Sequence, residues 1–307
     1  MSEFHTGEWW ADTVSLLGVD FVQNAIVAAL LLGIVSGAVA PLIVMRKMSF
    51  MAHSTGELAL MGASAALLFG FGVSWGAVLG AVLAALLLTA LGRREQDSIV
   101  AVILSFGMGL SVLFIYLYPG RSTEAFSLLT GQIVGVSNNS LGWLAGLTIV
   151  VVGLMFLLWR PLLFATVDPI VAAASGLKVR TLSLIFAGII GLVASQGVQI
   201  VGALLLIALL ITPGAAAVKI TANPVLAVIL SGLFSVTAAV GGLLASLAPG
   251  LPVSVFVTSI SFVIYLLCRG MAWLRGRRLH ADEVRAREFA TAGHHHVDPN
   301  ESAPAHH

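Results

Sequence analysis

Nine apolar stretches follow one another between residues 22 and 270, and nearly every formal charge in that region sits at the end of one of them. A run of about 20 apolar residues matches a hydrocarbon core roughly 30 Å thick, and only a continuous helix satisfies its own backbone polar groups there. Spans are expected near 22 to 45, 52 to 71, 75 to 92, 98 to 118, 141 to 159, 181 to 196, 199 to 218, 224 to 247 and 253 to 270. The number of crossings falls to eight if one of the shorter segments is re-entrant. The expected fold is therefore all-α, a polytopic membrane helix bundle. Composition agrees: 9% of the 307 residues are charged and 59% are hydrophobic, whereas a soluble domain carries about 25% charged residues. The single cysteine, Cys268, excludes an internal disulfide framework and a Cys-rich metal cluster.

The expected organisation is an N-terminal interfacial segment over 1–21, a membrane domain over 22–270 and a polar tail over 271–307. The first segment carries Glu3, Glu8, Asp12 and Asp20 but no Lys or Arg, unlike the basic start of a cleaved signal peptide. Its Trp9 and Trp10 suit the membrane interface, where indole rings prefer to sit. Basic residues set the orientation. Arg46/Lys47, Arg93/Arg94, Arg160, Lys178/Arg180, Lys219 and the run from Arg269 to Arg287 fall on one side of nine spans, and only Arg121 falls on the other. The C-terminus is accordingly expected in the cytoplasm and the N-terminus outside. Small-residue spacings at Gly33/Gly37, Gly72/Gly76/Gly80 and Gly142/Gly146 predict close helix packing. The outer loop from Pro119 to Ser140 has room for a half-buried helix over 125–135. The inner segment 160–180 contains a short surface helix, with Asp168 as its cap, Pro169 at its first position and Gly176 at its end.

Ionisable residues at membrane depth are costly, and the spans contain two conspicuous ones, His53 and Glu57. Four residues apart, they share one helix face, so an imidazole nitrogen and a carboxylate oxygen can converge on one divalent cation. That donor mixture suits zinc, manganese or iron better than copper(I) or magnesium. A hydrogen bond between the two, stabilising the helix junction beside Arg46 and Lys47, explains their presence equally well. Met45, Met48, Met51 and Met61 surround the pair. Thioethers can hold copper(I), but methionine is more often a flexible gap-filler and no second Met or Cys cluster follows. Ser195, Gln196 and Gln199, then Thr212 and Pro213, interrupt the sixth and seventh spans; they either line a path or mark tolerated kinks.

None of the three lysines follows a glycine, so the Gly-Lys-Ser/Thr end of a nucleotide-binding loop is absent and any ATP must bind another polypeptide. Every histidine except His5 and His53 lies in the tail, which makes a Ser/His/Asp set implausible. Tail residues His294, His295 and His296 are a candidate metal tract, alongside the alternative of a disordered polar end. Lipid is an expected partner; nucleic acid is not.

The stretch from Arg46 to Gly62, Arg-Lys-Met-Ser-Phe-Met-Ala-His-Ser-Thr-Gly-Glu-Leu-Ala-Leu-Met-Gly, resembles the signature segment that follows the first span of ABC-type zinc and manganese permeases. The resemblance continues in order through Asp97-Ser98-Ile99-Val100, Leu129 to Val136, Asp168-Pro169 to Ser175-Gly176-Leu177, and Val201-Gly202-Ala203-Leu204-Leu205 to Ile211-Thr212-Pro213. It implies a bacterial plasma-membrane permease that forms its path as a dimer with a second permease subunit. Such a subunit receives zinc or manganese from an extracellular metal-binding protein and is driven by a cytoplasmic ATP-binding subunit. It holds no permanent cofactor and has no catalytic residues of its own. Asp168, Pro169, Ser175, Gly176 and Leu177 would couple to the ATPase; His53 and Glu57 would hold the passing ion; Gln196, Gln199, Thr212 and Pro213 would line its path. The family pattern carries an aspartate where this chain has His53 and a histidine where it has Glu57. Two other classes remain open from the residues themselves. A proton-coupled carrier would use Glu57 as its proton site, and a non-transporting membrane scaffold would need neither residue.

Overall fold

A computed structural model of the chain describes residues 18–91, 96–120, 128, 136–247 and 252–294. The Trp9/Trp10 segment, most of the outer loop including the expected helix over 125–135, and His295 and His296 lie outside these residues. Eleven helices account for most of what is described: α1 Asp20–Met45, α2 Ser49–Leu68, α3 Val73–Ala90, α4 Gln96–Leu117, α5 Asn138–Val167, α6 Pro169–Ala174, α7 Val179–Val201, α8 Ala203–Leu210, α9 Thr212–Ile220, α10 Pro224–Leu247 and α11 Val253–His294.

Seven of them (α1, α3, α4, α5, α7, α10 and α11) are long and apolar enough to cross a membrane. Helix α2 has the length, at 20 residues, but its His, Glu, Ser and Thr side chains dilute its hydropathy. The α8–α9 pair supplies the remaining segment in two pieces. Helices that are apolar all round belong either in the core or in lipid, and burial separates the two. In α1 and α7, 67% of the apolar window is buried inside the chain, against 17% in α4 and α11. Helix α2 lies in the packed interior against α3, α4 and α7.

Two of the three small-residue spacings do pack. A side chain at Gly37 would strike the Gly232 backbone of α10, and one at Gly62 would strike Gly76 of α3, so the main chains meet directly. Gly142 and Gly146 face open space.

The expected break at 196–199 is not where the chain turns. Helix α7 runs through Val201, and the reversal falls at Gly202, whose φ of +82° is one that L side chains rarely adopt. Two of the three polar residues are absorbed into the helix, the Ser195 hydroxyl donating to the Leu192 carbonyl (2.8 Å) and Gln199 Nε2 to the Ser195 carbonyl (3.0 Å), whereas the buried amide of Gln196 has no hydrogen-bond partner among the described residues. Ile211, with φ −114° and ψ −49°, separates α8 from α9, and Pro213 sits in the first turn of α9, as its missing N–H predicts. The fifth crossing is also longer than expected, since α5 continues through Arg160 and Pro161 to Val167. The last span runs on without interruption into the tail as far as His294.

Candidate functional site

The junction ahead of α2 is set by backbone geometry. Helix α1 ends in a Schellman motif, with the Lys47 N–H donating to the Val44 carbonyl (3.0 Å) and the Met48 N–H to the Ile43 carbonyl (2.9 Å). Lys47 occupies the left-handed position at φ +57°, the one non-glycine residue with positive φ among the described residues. Glycine is the usual occupant there.

In the first turns of α2 the hydroxyls close on their own helix. Ser54 Oγ donates to the Phe50 carbonyl (3.0 Å) and Thr55 Oγ1 to the Met51 carbonyl (2.8 Å). Glu57 is left as the one buried charged side chain among the described residues, 6% exposed. His53, one turn earlier, is half-buried and has the Phe50 ring beside it at a centroid distance of 6.5 Å. Among the described residues neither His53 nor Glu57 makes a hydrogen bond or ion pair, so the structural hydrogen bond that was the alternative reading is not formed. No group of three or more His, Cys, Asp or Glu side chains gathers among the described residues. Among the described residues two donors therefore stand here. Met51 is buried and its sulfur accepts from Thr89 Oγ1 (3.3 Å), while Met48 and Met61 pack against the core. The thioethers thus fill space.

The α6 segment forms as its residues predict. Asp168 Oδ1 accepts from the N–H groups of Ile170 (3.0 Å) and Val171 (2.9 Å), and Pro169 occupies the first helical turn. Ser175 is the C-cap, and its hydroxyl donates to the Val171 carbonyl (2.9 Å). Gly176 then takes φ +86°, which lets the N–H groups of Gly176 and Leu177 reach the Ala173 and Ala172 carbonyls. Leu177 packs against the core. Ala172 is buried as well, but Ile170 is 81% exposed and Val171 49%. The capped helix thus leaves two apolar side chains uncovered.

Gln196 and Gln199 line a cavity of about 310 Å³ between α2, α3, α5 and α7. Ser74 Oγ donates to Gln199 Oε1 (2.6 Å), and Trp143 at the cavity rim meets Trp75 edge to face at 4.9 Å. Neither Thr212 nor Pro213 reaches this lining. Pro213 is buried, and its neighbour Gly214 abuts the Ala40 backbone of α1. From α2 the cavity takes only Leu67, about 15 Å along the helix from Glu57 at 1.5 Å per residue. The glutamines and the His53/Glu57 pair thus mark separate places in the bundle. His294 ends α11, with its two successors outside the described residues.

Sequence reasoning gave Arg46 no role in the site, using it to orient the chain, to place a helix junction and to open the family-like stretch. The guanidinium donates from Nε to Thr166 Oγ1 (2.7 Å) and from Nη2 to the Leu162 carbonyl (3.0 Å), with its carbon 4.8 Å from the Phe186 ring centroid. An arginine followed by a left-handed turn, facing a Thr two residues ahead of a helix cap, becomes a signal only once the helices are placed.

Comparison with known proteins places the whole arrangement. Residues 18–271 match the model of the ABC 3 transport family. The manganese transport system membrane protein MntC of Halalkalibacterium halodurans is 30% identical over 74% of this chain and 79% of that protein. The manganese import system permease protein ScaB of Streptococcus parasanguinis is 28% identical over 85% of this chain and 94% of its own length. Among solved structures, PsaBC from Streptococcus pneumoniae, determined in complex with a Fab, superposes with a TM-score of 0.78 at 25% identity, covering 84% of this chain and 95% of that one. The match spans every membrane helix from α1 to α11, and the chain belongs to the ABC 3 transport family as the membrane-spanning permease subunit of such a transporter.

Proposed function

We propose that this chain forms, as a dimer with a second permease subunit, the path of an ATP-driven importer of a divalent transition metal. Manganese is the first candidate cargo and zinc the second. The observation that carries the reading is the buried Glu57, which makes no hydrogen bond or ion pair among the described residues, with His53 one turn away, on a helix packed in the interior of a permease. Burying a carboxylate without a partner is expensive, and a cation passing through supplies the missing partner. One carboxylate and one imidazole bind manganese or zinc through oxygen and nitrogen. Two protein donors per chain hold it weakly enough to let it go, as conduction requires. The names of the relatives favour manganese. An ATP-binding subunit seats on α6, whose exposed Ile170 and Val171 supply apolar contact, and an extracellular metal-binding protein delivers the ion to the opposite end. The orientation follows the basic residues, with the α6 end in the cytoplasm of a bacterial plasma membrane. A metal tract at His294, His295 and His296 is a separate, cytoplasmic element of the same proposal.

The test is uptake of manganese and of zinc into vesicles that contain the chain, its ATPase and its binding protein. Glu57→Gln keeps the shape and removes the charge; His53→Ala removes the nitrogen. Each is expected to lower ATP-dependent flux by about tenfold or more, the scale on which metal sites respond to lost ligands or their supports, with the complex still assembled. Wild-type flux in both variants would remove the pair from the path.

A further inference from the structure

The Arg46 guanidinium joins three transmembrane helices near the proposed docking element. Arg46 is the C-cap of α1, its N–H donating to the Leu42 carbonyl (3.0 Å). Its side chain crosses to α5, where Nε meets the Thr166 hydroxyl and Nη2 meets the Leu162 carbonyl. Thr166 Oγ1 also donates to that carbonyl (2.6 Å), so hydroxyl, carbonyl and guanidinium form a closed cluster in the last turns of α5. On its other side the guanidinium lies over Phe186 of α7, a ring with no exposed surface. A planar fork of fixed donors that also stacks on an aromatic face is a property of arginine that lysine lacks.

Position in the chain gives this cluster its meaning. Thr166 stands two residues before Asp168, the cap of α6, and His53 stands seven residues after Arg46. Between Arg46 and α2 lies only the Lys47 turn, held by its two Schellman hydrogen bonds. Displacement of α6 therefore moves the end of α5, the end of α5 moves Arg46, and Arg46 moves the first turns of α2. We infer that Arg46 is a positioning residue that ties the ATPase-docking element to the helix bearing His53 and Glu57. It touches no cargo. The inference rests on the reading of α6 as the docking element and of α2 as the metal helix.

Two measurements on the full complex test it. The first is manganese taken up per ATP hydrolysed. In Arg46→Gln this ratio is expected to fall by about tenfold, within the usual range of coupling between sites. Arg46→Lys is expected not to rescue it, because the charge returns without the fork. Thr166→Val, which removes one acceptor and folds under no altered charge, is expected to lower the ratio in the same direction by a smaller factor. Manganese binding by the detergent-solubilised complex is expected to stay at the wild-type level in all three, which separates positioning from damage to the site. The second measurement is hydrogen exchange at residues 47–55 with and without a trapped ATP analogue. The response to nucleotide there is expected to vanish in Arg46→Gln and to persist at 168–178. Wild-type stoichiometry in Arg46→Lys and Thr166→Val, or an intact nucleotide response at 47–55 in Arg46→Gln, would overturn the inference. The exchange measurement does not depend on the cargo. If the wild-type complex moves neither manganese nor zinc, the proposed function fails while the Arg46 inference is still decided.

Discussion

Glu57 and His53 act on one ion only if they act together, and a pair that works as a unit is not additive. The resemblance drawn from the sequence implies a family pattern with the two donor types in the opposite order. Exchanging them, as His53→Asp with Glu57→His, is therefore expected to retain manganese uptake within about threefold, while Glu57→Gln or His53→Ala alone loses most of it. Radiolabelled manganese uptake checks this, and a dead double variant would mean that each ligand is held to its own position by its surroundings. These two residues were legible because hydrocarbon penalises any ionisable group, so their presence demands a reason. That they are not bonded to each other was not legible, since spacing on a helix brings side chains near without saying where they point. Arg46 was hidden for the opposite reason. An arginine just beyond a span is so ordinary that its charge explains it, and the Thr166 hydroxyl that receives it is 120 residues away in sequence.

Among the elements, α6 was read almost whole from Asp168, Pro169 and Gly176, because caps and left-handed turns are local chemistry. Proline at Gly176 cannot take φ +86° and has no N–H to give to Ala173. Gly176→Pro is accordingly expected to leave the chain inserted but to break the link between ATP hydrolysis and uptake. The readout is ATPase activity that no longer responds to the metal-loaded binding protein, and normal coupling in this variant would take α6 out of the mechanism. The α7–α8 reversal was misplaced by the same style of reasoning. Ser195, Gln196 and Gln199 look like an interruption because polar groups in a span need partners. Ser195 and Gln199 find them within α7 and at Ser74, so the helix continues. The true turn rests on Gly202, which no polar signal announces. Gly202 is the one residue between α7 and α8, as Ile211 is between α8 and α9.

At the scale of the molecule, nine segments could be counted because each is close to the length of one crossing, and family membership agrees with the bundle they form. The exposed and buried helices could not be told apart in the sequence, since α1 and α4 are apolar to similar degrees and only packing distinguishes them. Orientation is the remaining prediction at this scale. A cysteine introduced at Ala292 is expected to be protected from an impermeant reagent in sealed cells, because the basic residues place that end inside; labelling there would invert the whole assignment. The shape of α11 then limits what the tail can do. Its apolar stretch ends at Arg275, yet the helix runs unbroken to His294, a further 28 Å or about that at 1.5 Å per residue. The backbone of His294 thus stands at the far end of a continuous helix, at a stand-off comparable to the thickness of the bilayer itself. An ion bound at the proposed tail tract would lie well clear of the apolar stretch, so that tract could serve only as a mooring outside the membrane and not as a step along the path.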